Sequence, residues 1–137
     1  MAKAIYFDMD GTLANLYGVE NWLEKLRAYD ASPYAEAEVL LNMQALAHRL
    51  NKLQKNGYTI GIISWLSKES TTAYDVATTA MKMAWLEKHL HSVKWDEIHI
   101  IAYGKRKSKF AQVKDGYLFD DNESVRREWI KHNPEGW

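Results

Sequence analysis

The sequence of 137 residues contains no cysteine, which excludes disulfide bonds, zinc–thiolate sites and catalysis by a thiol. It also has no net charge, because 18 basic side chains balance 18 acidic ones, so the composition does not favour attraction to nucleic acid or to an anionic membrane. No segment is apolar enough to span a bilayer, and the N-terminus shows no signal-peptide pattern. We therefore expect a cytoplasmic protein without a membrane partner, and we do not expect nucleic acid as its main partner.

Repeats, low-complexity tracts and linkers rich in proline or glycine are missing as well, and a chain of this length points to a single domain over residues 1–137. Four short apolar runs are typical of buried parallel strands, and segments with helical spacing separate them. The alternation predicts an α/β fold with helices on both faces of a parallel sheet. The predicted strands span residues 3–8, 58–64, 98–102 and 117–120.

Helical spacing of apolar residues predicts five helices, the second of which ends at the stop signal Asn56-Gly57. In that helix Val39 begins an apolar stripe, and in the next helix Val76 and Met83 mark the apolar side. Residues 30–33 are predicted to form a loop. The predicted helices span residues 21–29, 36–55, 71–88, 107–112 and 123–131.

Two pairs of carboxylates follow predicted strands. Asp8 and Asp10 come after the first apolar run and precede a glycine turn, and Asp120-Asp121 ends the fourth run. Ligands of parallel α/β sheets bind beyond the carboxyl ends of the strands, so we expect these acids to meet Ser64, which ends the second strand. Clustered carboxylates repel one another, which predicts a divalent cation among them, and Mg²⁺ prefers such oxygen ligands.

A phosphoryl group fits the polar residues that remain. Ser64 offers a hydroxyl at a strand end where backbone amides can also bind an anion, and residues 105–109 form a basic cluster before the fourth strand. Mg²⁺ would bridge the phosphoryl group to the carboxylates, while the serine and a lysine would neutralise its other oxygens. The pattern indicates a magnesium-dependent site for a phosphate ester.

These residues resemble the motifs of haloacid-dehalogenase-superfamily phosphatases. The first motif is Asp8-Met9-Asp10-Gly11-Thr12, the second is Ser64 after Ile62-Ile63, the third is a lysine of the basic cluster, and the fourth is Asp120-Asp121. All four stand in the family order and bracket nearly the whole chain. The resemblance implies a three-layer, Rossmann-like fold of the haloacid-dehalogenase type.

A narrower similarity connects the chain with the 5′(3′)-deoxyribonucleotidase-like branch, including its small bacterial and phage members. It lies in residues 103–110 and 118–122 and in Glu128-Trp129. Many members of the superfamily close the site with a cap inserted after the first motif. Here only residues 14–36 are available for it, so we expect a minimal cap with one helix and loops. Either the site is open to large substrates or a partner subunit of a homo-oligomer helps to close it.

The resemblance also implies roles for the motif residues. Asp8 would attack phosphorus and form an aspartyl-phosphate, and Asp10 would protonate the leaving oxygen and then activate water. Mg²⁺ would be held by Asp8, Asp10 through its backbone carbonyl, Asp120 and Asp121. The phosphate would be held by Ser64, Trp65 and one lysine.

Two lysines compete for the role in phosphate binding. Lys107 stands three residues before Phe110, as the pattern of the branch suggests, and a lysine at a helix start reaches a crevice without crossing the helix. Lys109 lies closer to the fourth strand and is the alternative. We favour Lys107.

The expected substrate is a small phosphomonoester, with a nucleoside monophosphate as the first choice. Trp22 is a candidate substrate contact, since it lies near a motif and could stack on a base. Two other functions remain open at this point. One is a phosphatase that acts on a nucleic-acid end or a phosphoprotein, and the other is an interaction module of the same fold without turnover.

Overall fold

The computed structural model describes residues 3–136, and four of its strands form a parallel sheet. Their order across the sheet is β5-β4-β1-β6, and each end lies within one residue of its predicted position. The predicted α/β fold with a central parallel sheet is confirmed. The strands of this sheet are β1 (Ala4–Phe7), β4 (Thr59–Trp65), β5 (Glu97–Ile101) and β6 (Tyr117–Phe119).

Two shorter strands, β2 (Ala14–Asn15) and β3 (Glu38–Val39), pair antiparallel in a separate ribbon. No helix within residues 3–136 is both long and apolar enough to cross a membrane. Short 3₁₀ turns occupy Leu16–Gly18 and Lys107–Lys109. The helices are α1 (Trp22–Arg27), α2 (Ser32–Glu36), α3 (Met43–Lys55), α4 (Thr72–His89) and α5 (Glu123–His132).

The alternation of side chains along β1 shows how the layers are built. Ile5 and Phe7 belong to a core with residues of α3 and α4, whereas Ala4 and Tyr6 belong to a second core with residues of α5. Successive side chains of a strand point to opposite faces, so one strand contacts both cores. The fold is a Rossmann-like sandwich in which helices cover both faces of the sheet.

Helix α3 begins later than the apolar stripe predicted. Val39 lies in β3, where it pairs with Ala14, and the side chain of Asn42 accepts a hydrogen bond from Ala45 N (3.1 Å) to cap the helix. An asparagine at this position satisfies a free amide of the first turn. The pairing with β2 keeps Val39 extended, and the cap at Asn42 sets the start of α3.

The predicted loop at residues 30–33 was wrong in part, since α2 starts at Ser32. Pro33 lies in the first turn of this helix, where a missing backbone amide costs nothing and the fixed φ favours the helix. The segment expected to form a minimal cap thus contains two short helices and one strand of the ribbon.

The buried face of α4 also differs from the prediction. Val76 is 66% exposed and Met83 is 43% exposed, so the apolar side that they were expected to mark faces solvent. The buried residues recur mainly at steps of four, and two of them are polar. They are Tyr74, Thr78, Lys82, Trp85 and Leu86.

Helix α4 connects the cap to the sheet. Tyr74, near its N-terminus, packs with Leu16, Ala31 and Tyr34 of the cap segment, whereas Trp85, near its C-terminus, belongs to the core against the sheet. Lys82 lies between these two apolar contacts and is completely buried.

Candidate active site

Asp8 lies at the carboxyl end of the central strand. Its backbone amide donates to Phe119 O (2.9 Å), which continues the pairing of β1 with β6, and its side chain is buried, with 7% of the residue exposed. The strand pairs with β4 on one side and with β6 on the other, so residues from both neighbours can reach Asp8. This edge of the sheet is where ligands of such folds bind.

The chain turns sharply after Asp8. The carbonyl of Met9 accepts hydrogen bonds from the amides of Thr12, Leu13 and Ala14 (2.9–3.2 Å). Gly11 has φ +81°, a left-handed conformation that glycine adopts without a steric penalty. The turn brings Asp10 back over the sheet edge instead of letting the strand continue.

Three carboxylates meet beside the end of β1. One oxygen from each of Asp8, Asp120 and Asp121 lies within 4.8 Å of the others. Asp120 is buried like Asp8, whereas Asp121 is exposed. The Asp120 side chain is held in place because its Oδ1 accepts a hydrogen bond from Asn122 N (2.9 Å).

Lys107 brings a positive charge into this group. Its ammonium lies 3.1 Å from Asp8 Oδ1 and 2.6 Å from Asp120 Oδ2, and only 2% of the side chain is exposed. It also lies 5.4 Å from the centre of the Trp65 ring. Lys109, the alternative from sequence, is exposed and lies outside the group. The geometry brings Lys107 to the carboxylates.

The charge on Asp8 is only partly compensated. Burial raises the pKa of Asp8 to about 7, although Lys107 opposes the shift, and the neighbouring charges of Asp120 and Asp10 add to it. Burial also raises the pKa of Asp121. A buried carboxylate with a pKa this high calls for a further cation if it is to be ionised at neutral pH.

The donor set fits magnesium. All three clustered ligands are carboxylate oxygens, which Mg²⁺ prefers. They lie within 4.8 Å of one another, slightly more than the roughly 4.2 Å between opposite ligands of one ion, so small side-chain movements would bring them onto it. The ion would be held by Asp8, Asp120 and Asp121. The carboxylate of Asp10 lies outside this cluster, and the resemblance implies a contribution from Asp10 through its backbone carbonyl only.

A second buried lysine was missed from the sequence. Lys82 Nζ lies 3.1 Å from Asp10 Oδ2, 2.7 Å from Ser64 Oγ and 2.8 Å from Trp65 O, and it stands 5.1 Å from the centre of the Tyr34 ring. The sequence contains no signal for it, because the apolar spacing of α4 predicted a different buried face, and only the structure places Lys82 on one face with Thr78 and Leu86.

Ser64 lies beneath the site and not in its wall. The residue has no exposed surface, and its hydroxyl accepts a hydrogen bond from Lys82. That bond leaves the hydroxyl hydrogen unused, but Ser64 is buried and does not line the cavity, so a contact with a phosphate requires the side chain to become accessible. Trp65, the next residue, does line the cavity, and its indole donates to Lys105 O (2.8 Å).

A cavity of about 500 Å³ opens above the carboxylates. Asp8, Asp10, Lys107, Asp120 and Asp121 line its floor, and aromatic rings form two of its walls. The ring centres of Tyr17 and Trp22 lie 5.0 Å apart on the cap side. Those of Trp65 and Tyr103 lie 4.9 Å apart on the other side. Trp22 is therefore placed where a ligand could contact it.

A scan of the chain against protein-family models gives no match, and a search among curated proteins finds no significant similarity.

Proposed function

We propose that this chain is a magnesium-dependent phosphomonoester hydrolase of the haloacid-dehalogenase type, with Asp8 as its nucleophile. The observation that carries the proposal is the surroundings of Asp8. Its carboxylate is buried at the end of the central strand, contacts the ammonium of Lys107 and shares a cluster with Asp120 and Asp121. A carboxylate held next to a cation at the floor of a cavity is suited to attack an anionic ester.

In the proposed reaction an oxygen of Asp8 forms a bond to phosphorus while the ester P–O bond breaks, which yields an aspartyl-phosphate. Asp10 gives its proton to the leaving oxygen. Asp10 then takes a proton from water, the water oxygen attacks phosphorus, and phosphate leaves with Asp8 restored. When bound, Mg²⁺ supplies positive charge that offsets the repulsion between the carboxylates and the phosphoryl oxygens.

Lys107 has the capacity to hold a phosphoryl oxygen as well. An ammonium has three N–H donors, and the contacts of Lys107 within the described residues use two of them, to Asp8 and Asp120. The third is free for the substrate. Its charge acts in a buried site, where a single donor is worth more than in water.

The aromatic walls support a nucleoside monophosphate as substrate. The pair Tyr17 and Trp22 and the pair Trp65 and Tyr103 both border the cavity above the carboxylates. A flat base can stack on such rings, which contributes roughly 1–3 kcal/mol per base. A sugar phosphate without a base makes no use of this surface.

Hydrolysis of p-nitrophenyl phosphate tests the reaction class. The wild type should be active with Mg²⁺ and inactive in excess EDTA, and Asp8→Asn should lose several orders of magnitude in kcat while it remains folded. Glu87→Gln, the same chemical change on the exposed side of α4, should behave as wild type. Near-native activity of Asp8→Asn would exclude the covalent mechanism. Inactivity of the wild type on every ester would favour an interaction module without turnover.

A panel of phosphomonoesters tests the substrate class. We expect kcat/KM to be higher for nucleoside monophosphates, both ribo and deoxyribo, than for sugar phosphates of similar size. Equal values would remove the nucleotidase assignment and leave the phosphatase assignment intact. A preference for a phosphorylated oligonucleotide end or a phosphopeptide would point to the larger substrates that an open site admits.

A further inference from the structure

Lys82 is a buried charge that the proposed reaction does not yet use. It lies on α4, far from the four motifs in sequence, and its side chain is 1% exposed. Removing an ammonium from water costs several kcal/mol unless partners replace the lost hydration. The three hydrogen-bond partners of Lys82 therefore replace its hydration in the buried position, and their identity indicates the role of Lys82.

Every donor of Lys82 is committed. Its three contacts go to Asp10 Oδ2, Ser64 Oγ and Trp65 O, which equals the three N–H donors of an ammonium. Lys107, in contrast, has a donor left and lines the cavity. Lys82 therefore has no donor to offer a phosphate without first breaking a bond.

Two of these bonds fix the ammonium and the third fixes Asp10. Ser64 and Trp65 both belong to the end of β4, so Lys82 is held by the sheet from below. Its remaining bond then holds one oxygen of Asp10. This bond uses Asp10 Oδ2 and leaves Oδ1 outside the contact with Lys82, and the Asp10 side chain is 18% exposed and lines the cavity.

Each of the two acids of the first motif thus contacts a different lysine. Lys107 contacts Asp8, which lies in the carboxylate cluster, and Lys82 contacts Asp10, which lies outside it. Without Lys82, the Asp10 carboxylate would lose its anchor and could turn toward a metal ion bound beside Asp8. An Asp10 that turned away could no longer exchange a proton with the leaving oxygen.

We propose that Lys82 is a positioning residue that holds the Asp10 carboxylate away from the cluster of Asp8, Asp120 and Asp121, with Asp10 Oδ1 directed at the leaving group. This inference rests on the proposed function. Lys82, on α4, would then assist proton transfer only by holding Asp10 in place. The proton moves from Asp10 to the leaving oxygen as the ester P–O bond breaks, so the benefit depends on how much the leaving group needs that proton.

The leaving-group dependence of kcat/KM separates this role from a structural one. The value of kcat/KM reports the first half of the reaction, in which the ester bond breaks. In that step p-nitrophenolate leaves without a proton, whereas an alkyl leaving group needs a proton from a general acid. Lys82→Met should lower kcat/KM by about 10–100-fold for alkyl phosphates and by less than about threefold for p-nitrophenyl phosphate. Lys88→Met, an exposed lysine on the same helix, should leave both unchanged.

The double variant Asp10→Asn/Lys82→Met gives a second readout. If Lys82 acts through Asp10, the double variant should be no more than about twofold worse than Asp10→Asn on alkyl phosphates, because the effects of coupled residues do not add. Urea unfolding establishes that each variant is folded. Should Lys82→Met fail to fold, Lys82→Gln retains two donors and should show the same leaving-group selectivity to a smaller degree.

An equal loss of kcat/KM for aryl and alkyl esters, with a raised KM, would overturn the inference and make Lys82 a phosphate ligand or a structural residue. Full additivity in the double variant would overturn it as well. Both results would require an active wild type, so they would leave the proposed function standing. A wild type inactive on all esters would overturn both.

Discussion

The carboxylate of Asp121 occupies the place where a side chain on residue 11 would begin. A Cβ atom built on Gly11 overlaps the Asp121 carboxylate and lies 3.1 Å from the Tyr17 ring. Gly11 also has φ +81°, so glycine is required at this position for two reasons, its backbone conformation and the close approach of a residue of the carboxylate cluster.

Gly11→Ala should therefore weaken metal binding as well as stability. The methyl group would displace Asp121 from the cluster, and we expect the Mg²⁺ concentration for half-maximal activity to rise by about tenfold or more, as for other disturbed ligand shells. The measurement is a Mg²⁺ titration of phosphatase activity. Gly57→Ala is the control, because Gly57 has φ +92° and only Lys3 Nζ nearby, at 3.8 Å. Equal Mg²⁺ requirements in the two variants would contradict the packing argument.

The two lysines that the sequence left open differ in their expected effects. Lys107→Ala should lower kcat/KM by about 100-fold or more, because it removes a buried donor to the reacting group. Lys109→Ala should change it less than about twofold, since an exposed charge outside the cluster is screened by solvent. Steady-state kinetics on p-nitrophenyl phosphate compares them directly. The reverse ranking would transfer the role to Lys109.

Removal of the metal should make stability depend on pH through Asp8. Burial raises the pKa of Asp8 from 3.8 to about 7 in the metal-free protein. Between these values the native state keeps a proton that the unfolded state has released, so the contribution of Asp8 to the free energy of unfolding falls as the pH rises from about 4 to about 7. Mg²⁺ binds the ionised form and should oppose this loss.

The Tm increase caused by Mg²⁺ should accordingly be larger at about pH 8 than at about pH 5, where the ion competes with a proton on Asp8. Thermal unfolding in Mg²⁺ and in EDTA at both pH values measures it. Asp8→Asn, which has no proton to release, should show a smaller difference between the two pH values. Identical increments in the wild type at both would count against a metal contact of Asp8.

Trp22 offers the cleaner test of base stacking. Trp65 also donates to Lys105 O and lies against Lys107, so its loss should affect every substrate. Trp22 is only half-buried in α1 and contacts Tyr17. Trp22→Ala should lower kcat/KM for nucleoside monophosphates by about 5–150-fold, as expected for the loss of one stacking contact, and change kcat/KM for p-nitrophenyl phosphate much less. A uniform loss on both substrates would assign Trp22 to packing.

The acids and the strands were predictable because their signals are local. An apolar run that ends in Asp8 or Asp120 reads as a buried strand with carboxylates at its end, and a parallel sheet brings such ends together. The glycine turn after Asp10 is also local chemistry. These features led from the sequence alone to the α/β fold and to the group of candidate residues.

The cap and the buried face of α4 were not predictable in the same way. Val76 and Met83 are apolar and correctly spaced, yet they are exposed, because α4 must contact the sheet near one end and the cap near the other. Helix α2 depends on Pro33, which the sequence alone also allows in a loop. Periodicity shows that a helix has a preferred face, but the surfaces it packs against select that face.

The sequence by itself determined where the four strands of the sheet lie along the chain, the positions of the four acids at or just beyond strand ends and the glycine turn after Asp10. Only the tertiary structure decided which lysines join those acids. A lysine is buried only where partners from distant parts of the chain replace its hydration. Lys107 finds them in Asp8 and Asp120, and Lys82 finds them in Asp10, Ser64 and Trp65. Their sequence separations exceed the range of any local pattern, so folding alone brings these charges together.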